Sequence, residues 1–179
     1  MNKSIVYLIC LMVLLFVGVT GCGPQDETRT LPYTRYVESY DGARVPVPDH
    51  PKRILALSSA SDTILLGLVE PDRLVGINTL STYEEYSLEA KRAKLVKPAM
   101  SSYPLEKIIA LEPDLVIAPD YTSADVIAGL RHMGIPTVVV PTGTTVESVI
   151  KNVTDIAHIV GEDEKGQFYE QKIRRELEK

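Results

Sequence analysis

Polar residues and tyrosines gather where short apolar runs of this sequence end. The set that could contact a ligand is Ser58, Ser59, Asn78, Thr79, Tyr83, Tyr103, Asp120, Tyr121 and Thr142. Tyrosine offers a rigid apolar face with one hydroxyl, which suits a shallow site for a flat or bulky ligand. Polar loops also cap sheets that bind nothing, and for any single residue that is the simpler explanation. The set as a whole indicates a binding site.

Motifs for covalent or metal-assisted catalysis are missing from the sequence. No G-x-G-x-x-G follows an apolar run, and neither G-x-S-x-G nor H-E-x-x-H occurs. The three histidines, His50, His132 and His158, lack the neighbouring ligands that a metal site needs. Asn152-Val153-Thr154 matches the glycosylation sequon but lies inside a predicted helix. The sequence predicts binding without turnover, with no catalytic residue, no metal ligand and no resident cofactor.

The elements that must position these residues follow a strand–helix alternation. Continuous apolar runs at 53–57, 73–77, 114–118 and 136–140 are typical of strands buried on both faces of a parallel sheet. Helices are predicted between and after them at 62–69, 104–111, 124–133 and 146–160. This order predicts an α/β fold, a Rossmann-like open and mostly parallel sheet with flanking helices. Ligands of such sheets collect at the carboxyl ends of the strands, where the polar residues stand.

Local signals add detail at both ends of this domain. Asp41-Gly42 predicts a two-residue type I′ turn in a small β-hairpin that precedes the sheet. Thr144 and Glu147 have the spacing of a capping box for the helix at 146–160. The charged segment 162–179 predicts a long helix whose narrow buried stripe consists of Phe168, Ile173 and Leu177.

The N-terminal segment has the features of an export signal. Its uncharged run at 5–19 follows Lys3 and is shorter than the roughly 20 residues that a membrane-spanning helix needs. Val19-Thr20-Gly21-Cys22 resembles the lipobox of bacterial lipoproteins. We therefore expect residues 1–21 to be a lipoprotein signal peptide, Cys22 to carry the lipid, and 22–31 to be a flexible tether. The alternative is an uncleaved anchor helix with an incidental cysteine.

Charge and cysteine content limit which partners the mature chain can have. The formal net charge is −5, and removal of Lys3 with the signal peptide takes it to −6. An acidic chain is a poor partner for nucleic acid. Cys10 also lies in the signal, so the mature chain has no disulfide within itself. We expect an extracytoplasmic monomer, lipid-anchored to the bacterial cell membrane.

Three stretches carry a family resemblance: VPDHPKRILALSSASDTILLGLVEPDRLVGI, PLEKIIALEPDLVIAPD and MGIPTVVV. They resemble the N-terminal lobe of the iron-siderophore and cobalamin binding proteins of ABC importers. The resemblance implies two α/β lobes joined by a long helix, with the ligand held between them. Residues 32–161 would be the N-terminal lobe, and 162–179 would begin the interlobe helix, with the second lobe absent.

The resemblance also implies partners, namely an ABC permease and a small-molecule metal chelate such as an iron-siderophore, haem or cobalamin. Family members often carry a glutamate in the first helix that contacts permease arginines. Here that position is Thr63, and Asp62 stands one residue earlier. Two other classes of function remain open, an exported α/β enzyme with an unrecognised site and a lipoprotein scaffold that acts through its charged C-terminal helix. A site with a single lobe is expected to bind weakly.

Overall fold

The computed structural model describes residues 35–179, so Cys22 and the predicted signal and tether lie outside the described residues. The strands are β1 (Arg35–Glu38), β2 (Arg44–Val47), β3 (Ile54–Ala56), β4 (Ile77–Asn78), β5 (Ala99–Met100), β6 (Leu115–Pro119) and β7 (Thr137–Val140). The α-helices are α1 (Ser59–Leu68), α2 (Ala90–Ala93), α3 (Leu105–Ala110), α4 (Ala124–His132), α5 (Val146–Val160) and α6 (Asp163–Leu177). No helix in this part of the chain is both long and apolar enough to cross a membrane.

Five strands run in one direction and confirm the predicted α/β class. β3, β6 and β7 pair in parallel in the order β3-β6-β7, and β4 pairs in parallel with β5. A parallel bridge between Ile54 and Leu74 joins the two groups, and the Val75 N–H donates to the Ile54 carbonyl at 3.0 Å. The carboxyl ends of all five strands therefore lie on one edge.

One predicted strand is mostly wrong. In the run at 73–77, Arg73 belongs to the 3-10 helix Pro71–Arg73, Leu74 makes only the isolated bridge to Ile54, and Ile77 alone enters a strand. Proline cannot donate a ladder hydrogen bond, and the turn it starts keeps Arg73 out of the sheet. β5 was not predicted, since its two residues carry no periodic pattern.

Alternate residues of the strands pack into two separate cores. Ile54, Ile117 and Val138 face a cluster that includes residues of α1 and α5. Leu55 and Val116, their sequence neighbours, face a second cluster with residues of α3 and α4. This alternation follows from the two-residue period of a strand. Helices thus cover both faces of the sheet, and its carboxyl edge is left for the polar loops.

Helix α5 has strong signals at both ends. Its capping box is formed by Thr145 and Ser148, so the prediction of Thr144 and Glu147 is wrong by one residue. Serine can do the work of the usual glutamate because its hydroxyl accepts the Thr145 N–H at 2.9 Å. The helix ends at Gly161, whose φ of +76° is the left-handed cap that glycine favours.

The β1–β2 hairpin is present, but its turn differs from the prediction. The Gly42 N–H donates to the Ser39 carbonyl and the Ser39 N–H to the Ala43 carbonyl, and Gly42 has a φ of +81°. Asp41 does not adopt the positive φ that a type I′ turn requires. The turn is therefore a longer loop closed by a left-handed glycine.

Helix α6 packs against α5 in a way the charged sequence does not predict. Gly166 is buried beside Ala157, and Tyr169 packs against the core. Phe168 and Leu177 are exposed, so the predicted buried stripe is wrong at these two positions. The partly buried residue of this helix is the neighbouring Tyr169, and Gly166 leaves room for α6 to lie close to Ala157 of α5.

Candidate functional site

The carboxyl edge of the sheet carries the residues that the sequence singles out for binding. Ser58 and Ser59 follow β3, Asn78 ends β4 and Thr79 follows it, Tyr103 follows β5, Asp120 and Tyr121 follow β6, and Thr142 follows β7. Tyr83 ends the 3-10 helix Thr79–Thr82 that follows β4. Because the strands are parallel, the fold brings these loops to a common edge.

A pocket of about 360 Å³ opens at this edge between α1 and α5. Of the predicted residues, Ser58, Tyr121 and Thr142 line it. Its other lining residues are Ala60, Ser61, Thr63, Ile64, Pro119, Val140, Pro141, Gly143, Val149, Asn152 and Ile156. The volume lies in the lower part of the range for small-molecule sites. No lining residue carries a charge, so the pocket favours a neutral group with apolar surface and a few hydrogen bonds.

Ser58 lines the pocket and is the N-cap residue of α1. Its hydroxyl oxygen accepts the Ser61 N–H at 3.2 Å, and its hydroxyl donates to the Ser61 Oγ at 3.0 Å. Ser59 contributes its carbonyl, which accepts the Thr63 hydroxyl at 3.0 Å. Both residues therefore shape the first turn of the helix, and contact of either one with a ligand stays a prediction.

Asp120 and Thr142 form a direct link between the ends of β6 and β7. The Asp120 carboxylate accepts the Thr142 hydroxyl at 2.6 Å and the Thr142 N–H at 3.1 Å. These hydrogen bonds, the side-chain one first, hold the pKa of Asp120 below its usual range. The carboxylate is exposed but already satisfied, so its visible role is to fix the loop that borders the pocket.

A second polar cluster lies beneath the ends of β4 and β5. The buried Asp62 carboxylate accepts the Asn78 N–H at 2.7 Å and the Ser81 hydroxyl at 2.9 Å through Oδ2. Its Oδ1 has no hydrogen-bond partner among the described residues. Burial raises the pKa of Asp62 to about 7, against the lowering effect of the two hydrogen bonds.

This burial bears on the predicted permease contact. Asp62 has 0% of its surface exposed, so its carboxylate is not available to a docking partner in this conformation. Thr63 is partly exposed, and its hydroxyl also lies 3.2 Å from the Ser87 hydroxyl. A contact at Thr63 stays a prediction, and it would offer no charge to an arginine.

The three tyrosines differ in exposure. Tyr121 is 71% exposed and Tyr83 is half exposed, whereas Tyr103 is largely buried and packs against the second core cluster. Burial raises the pKa of Tyr103, and the nearby charges of Asp62 and Tyr121 add to this effect. Tyr103 and Tyr121 are therefore neighbours at the edge. Convergence of Tyr83 with them stays a prediction.

Two polar residues that line the pocket, Ser61 and Asn152, are absent from the sequence prediction. Asn152 is noticed only as part of a glycosylation sequon, yet it is buried, and its Nδ2 donates to the Pro141 carbonyl at 2.8 Å. The usable signal is its position between Val149 and Ile156, three and four residues away on the apolar stripe of α5. A polar amide on a buried helix face is an indication of a specific partner.

Within residues 35–179, no group of three His, Cys, Asp or Glu side chains could hold a metal ion. The histidines lie at the surface; His158, for example, pairs with Asp163 at 2.8 Å through Nδ1. The pocket supplies hydroxyl, amide and apolar contacts. Such an arrangement can hold a ligand and orient it.

Comparison with known proteins gives a consistent result. The sequence profile described as periplasmic binding protein matches residues 54–179. An uncharacterised ABC transporter substrate-binding lipoprotein of Bacillus subtilis, YvrC, is 28% identical over 93% of this chain and 54% of its own length. The vitamin B12-binding protein of Vibrio campbellii is 31% identical over 71% of this chain and 45% of its own.

Among solved structures, the haem-binding protein HmuT is similar to this fold with a TM-score of 0.61 and 27% identity. The match covers 76% of this chain and 44% of that protein. This chain thus spans about half the length of the curated relatives that it matches.

Proposed function

Because this chain belongs to the periplasmic binding protein family, whose members bind substrates, we propose that it is the membrane-anchored substrate-binding component of an ABC importer. Its ligand would be an iron complex, such as an iron-siderophore or haem, or cobalamin. The relatives named for vitamin B12 and haem binding support this class of ligand.

The observation that carries the proposal is the uncharged pocket at the carboxyl edge of the sheet. It combines apolar walls with the exposed Tyr121 at its mouth, and it lies where parallel α/β sheets bind ligands. A large, rigid chelate could stack on Tyr121 and reach into the pocket with a smaller group.

A titration of the purified protein tests ligand binding. The chain has no tryptophan, so its fluorescence comes from tyrosines, which include Tyr83, Tyr103 and Tyr121 in the loops that follow the strands, and haem, cyanocobalamin or a ferric hydroxamate bound there would quench part of it. We expect one of these chromophores to quench the fluorescence, and Tyr121→Ala to weaken binding about fivefold. Tyr36→Ala is the control, since Tyr36 is also exposed but lies on the hairpin and contacts Arg44. Absence of quenching by every chelate would contradict the proposal.

We infer that residues 35–179 form one wall of the site, as the resemblance to two-lobed binding proteins implies. Deep sites enclose roughly 70–90% of a ligand's surface. A single wall makes much less of that contact. We therefore expect this chain to bind with dissociation constants in the high micromolar range, which correspond to binding free energies on the order of −5 to −6 kcal/mol. Nanomolar binding by the isolated chain would show that one wall suffices.

Lipid anchoring at Cys22 is a separate part of the proposal. The lipobox at 19–22 supports it, and so does the relative that is named a lipoprotein. Labelling of cells with radioactive palmitate should mark the protein, and Cys22→Ala should abolish the label. Cys10→Ala should keep the label, because Cys10 lies within the predicted signal. Equal labelling of the two variants would refute the anchor.

A further inference from the structure

Asn152 lines the pocket, and the oxygen of its amide is buried without a hydrogen-bond partner among the described residues. Asn152 is 8% exposed and lines the pocket between α1 and α5. Its Oδ1 has no hydrogen-bond partner among the described residues. A buried acceptor left unsatisfied is unfavourable, so this atom calls for a donor from something that enters the pocket.

The orientation of this amide is settled by its other end. The Nδ2 atom lies 2.8 Å from the Pro141 carbonyl oxygen. Only the NH₂ group can donate to that carbonyl, because the reverse orientation would place two oxygens in contact. The atom that remains for a ligand is therefore Oδ1, and it can only accept a hydrogen bond.

The opposite wall of the pocket supplies donors. The Ser61 Oγ accepts the Ser58 hydroxyl at 3.0 Å, which leaves the Ser61 hydroxyl proton to be directed elsewhere. Ser58 also accepts the N–H groups of Ser61 and Asp62. The N–H groups of Ser59 and Ala60, in the first turn of α1, have no acceptor within the helix. Ser61 and Ala60 both line the pocket.

We propose that this pocket binds a primary carboxamide arm of the ligand. The NH₂ group of the arm donates to Asn152 Oδ1, and its carbonyl accepts from the Ser61 hydroxyl on α1. Ile64, Val149 and Ile156 pack against the carbon atoms that carry the amide. This assignment rests on the proposed function, because it names the part of the ligand that enters the site.

Other terminal groups fit the same pocket less well. A carboxylate would place an anionic oxygen against Oδ1 of Asn152, and no lining residue offers a positive charge to compensate. An ammonium group would be buried without a counter-ion. An alkyl group would leave Oδ1 unsatisfied. A primary amide is neutral and carries its N–H donors and its carbonyl acceptor on one carbon atom, so it can donate to Asn152 and accept from Ser61.

Small fragments test the assignment on the wild-type protein. The protein, labelled with ¹⁵N, is titrated with propionamide, N,N-dimethylpropionamide and propionate and followed by NMR. Propionamide should bind with a millimolar dissociation constant, on the order of what a ligand of this size reaches. It should shift the Asn152 side-chain signals and the backbone signals of Ala60 and Ser61. The dimethyl amide lacks N–H donors and, like propionate, should bind at least tenfold more weakly.

Variants give a second measurement. Asn152→Leu keeps the size of the side chain and should remove the preference for propionamide over its dimethyl derivative. Thr154→Ala on the same helix is the control, because the Thr154 hydroxyl donates to the Lys151 carbonyl and the residue does not line the pocket. Equal binding of the two amides by the wild-type protein would overturn the assignment. Absence of any NMR shift at the highest fragment concentration would also overturn the assignment, and Oδ1 would then have water as its only partner.

A chelate separates this inference from the proposed function. Cyanocobalamin carries primary carboxamide arms around its ring, whereas haem carries carboxylates. If cyanocobalamin binds and Asn152→Leu leaves its affinity unchanged, the importer function stands and the carboxamide assignment fails. If propionamide binds as described but no chelate does, the carboxamide assignment stands and the proposed function fails.

Discussion

The Asp62 carboxylate accepts the backbone N–H of Asn78 at 2.7 Å, which ties the first turn of α1 to the end of β4. The same oxygen accepts the Ser81 hydroxyl, so one buried atom holds together three segments of the carboxyl edge. The second oxygen of Asp62 is buried without a hydrogen-bond partner among the described residues. The edge therefore contains an ionisable group whose charge is poorly compensated.

This arrangement makes the free energy of unfolding depend on pH. The folded protein keeps the Asp62 proton up to about pH 7, whereas an unfolded aspartate releases it near pH 4. The folded state therefore binds more protons between these values, and the contribution of Asp62 falls as pH rises from about 4 to about 7. Asp62→Asn removes this dependence while its Oδ1 still accepts both hydrogen bonds. Between pH 4 and pH 7, we expect the unfolding free energy of Asp62→Asn to rise relative to that of wild type by about 1 kcal/mol per pH unit.

Urea unfolding of the two proteins at several values from pH 4.5 to pH 8 measures the difference. Asp41→Asn is the control of opposite sign, because the Arg131 hydrogen bond lowers the pKa of Asp41 to about 2. The stability that Asp41 adds is present above about pH 4 and is lost as pH falls toward 2. The difference in unfolding free energy between Asp41→Asn and wild type should therefore be constant above pH 5. Curves for wild type and Asp62→Asn that stay parallel would rule out the titration.

Much of the sheet could be predicted from sequence because burial on both faces leaves an unmistakable pattern. The runs that became β3, β6 and β7 are continuously apolar, and no competing local signal interrupts them. Arg73, predicted as a strand residue, lies outside the sheet, and its guanidinium donates to carbonyl groups of distant segments. That use of Arg73 depends on tertiary contacts, which no local pattern contains.

The site was predictable as an edge but not as a pocket. Ser58, Tyr121 and Thr142 follow parallel strands, so their position at one edge of the sheet can be predicted from the sequence. The pocket also needs the distance between α1 and α5, which decides that Asn152 faces it. Asp62 could not be predicted as buried, since a charged residue in the first turn of a helix is normally expected at the surface.

Two glycines at the contact of α6 with the rest of the domain should respond in opposite ways to the same substitution. A Cβ on Gly166 would lie 2.5 Å from the Cβ of Ala157, which is too close without movement of a helix. The gain in helix propensity is about 1 kcal/mol, and such overpacking costs about 1–3 kcal/mol. Gly166→Ala should therefore lower the unfolding free energy.

Gly67→Ala is the matched variant, because its Cβ would meet only the Tyr169 ring at 3.7 Å. It should raise the unfolding free energy by about 0.5–1 kcal/mol. The double variant Gly166→Ala/Ala157→Gly should recover part of the loss by returning space at the contact. Thermal unfolding followed by circular dichroism measures all three. A stabilised Gly166→Ala protein would show that α6 moves away from α5 without penalty.

Arg73 joins three segments that converge at the end of α5. Its guanidinium donates to the Pro51 carbonyl at 2.9 Å, the Val160 carbonyl at 3.1 Å and the Glu162 carboxylate at 2.6 Å. Lysine keeps the charge but cannot reach three acceptors with a planar fork. Arg73→Lys should lower the unfolding free energy by about 1–2 kcal/mol.

Arg92→Lys serves as the comparison, since Arg92 is more exposed and donates to the Val69 carbonyl and the Glu70 carboxylate. Arg92→Lys should lower the unfolding free energy by no more than about 1 kcal/mol. Urea unfolding at pH 7 compares the two. Equal losses would mean that charge, rather than the geometry of the fork, accounts for the effect of Arg73.

The last prediction concerns the link between Asp120 and Thr142 at the rim of the pocket. Thr142→Val keeps the N–H that donates to Asp120 but removes the hydroxyl that donates at 2.6 Å. Since that hydroxyl is the largest cause of the lowered pKa of Asp120, the pKa should rise toward its ordinary value in the variant. Titration of the ¹³C-labelled carboxyl group by NMR measures it, and Thr142→Ser, which keeps a hydroxyl, should leave it low.

The same pair of variants separates the structural role of this link from a direct role in binding. If the link only holds the loop between β7 and α5 in place, Thr142→Val should weaken propionamide and cyanocobalamin alike, because Gly143 and Val149 line the pocket beyond that loop. Thr142→Ser should then bind both as the wild type does. If Thr142→Val instead weakens only the larger ligand, the hydroxyl itself contacts the part of the ligand that stays outside the pocket. Asp120 would then lie beside the ligand, and its carboxyl titration should change when cyanocobalamin is added.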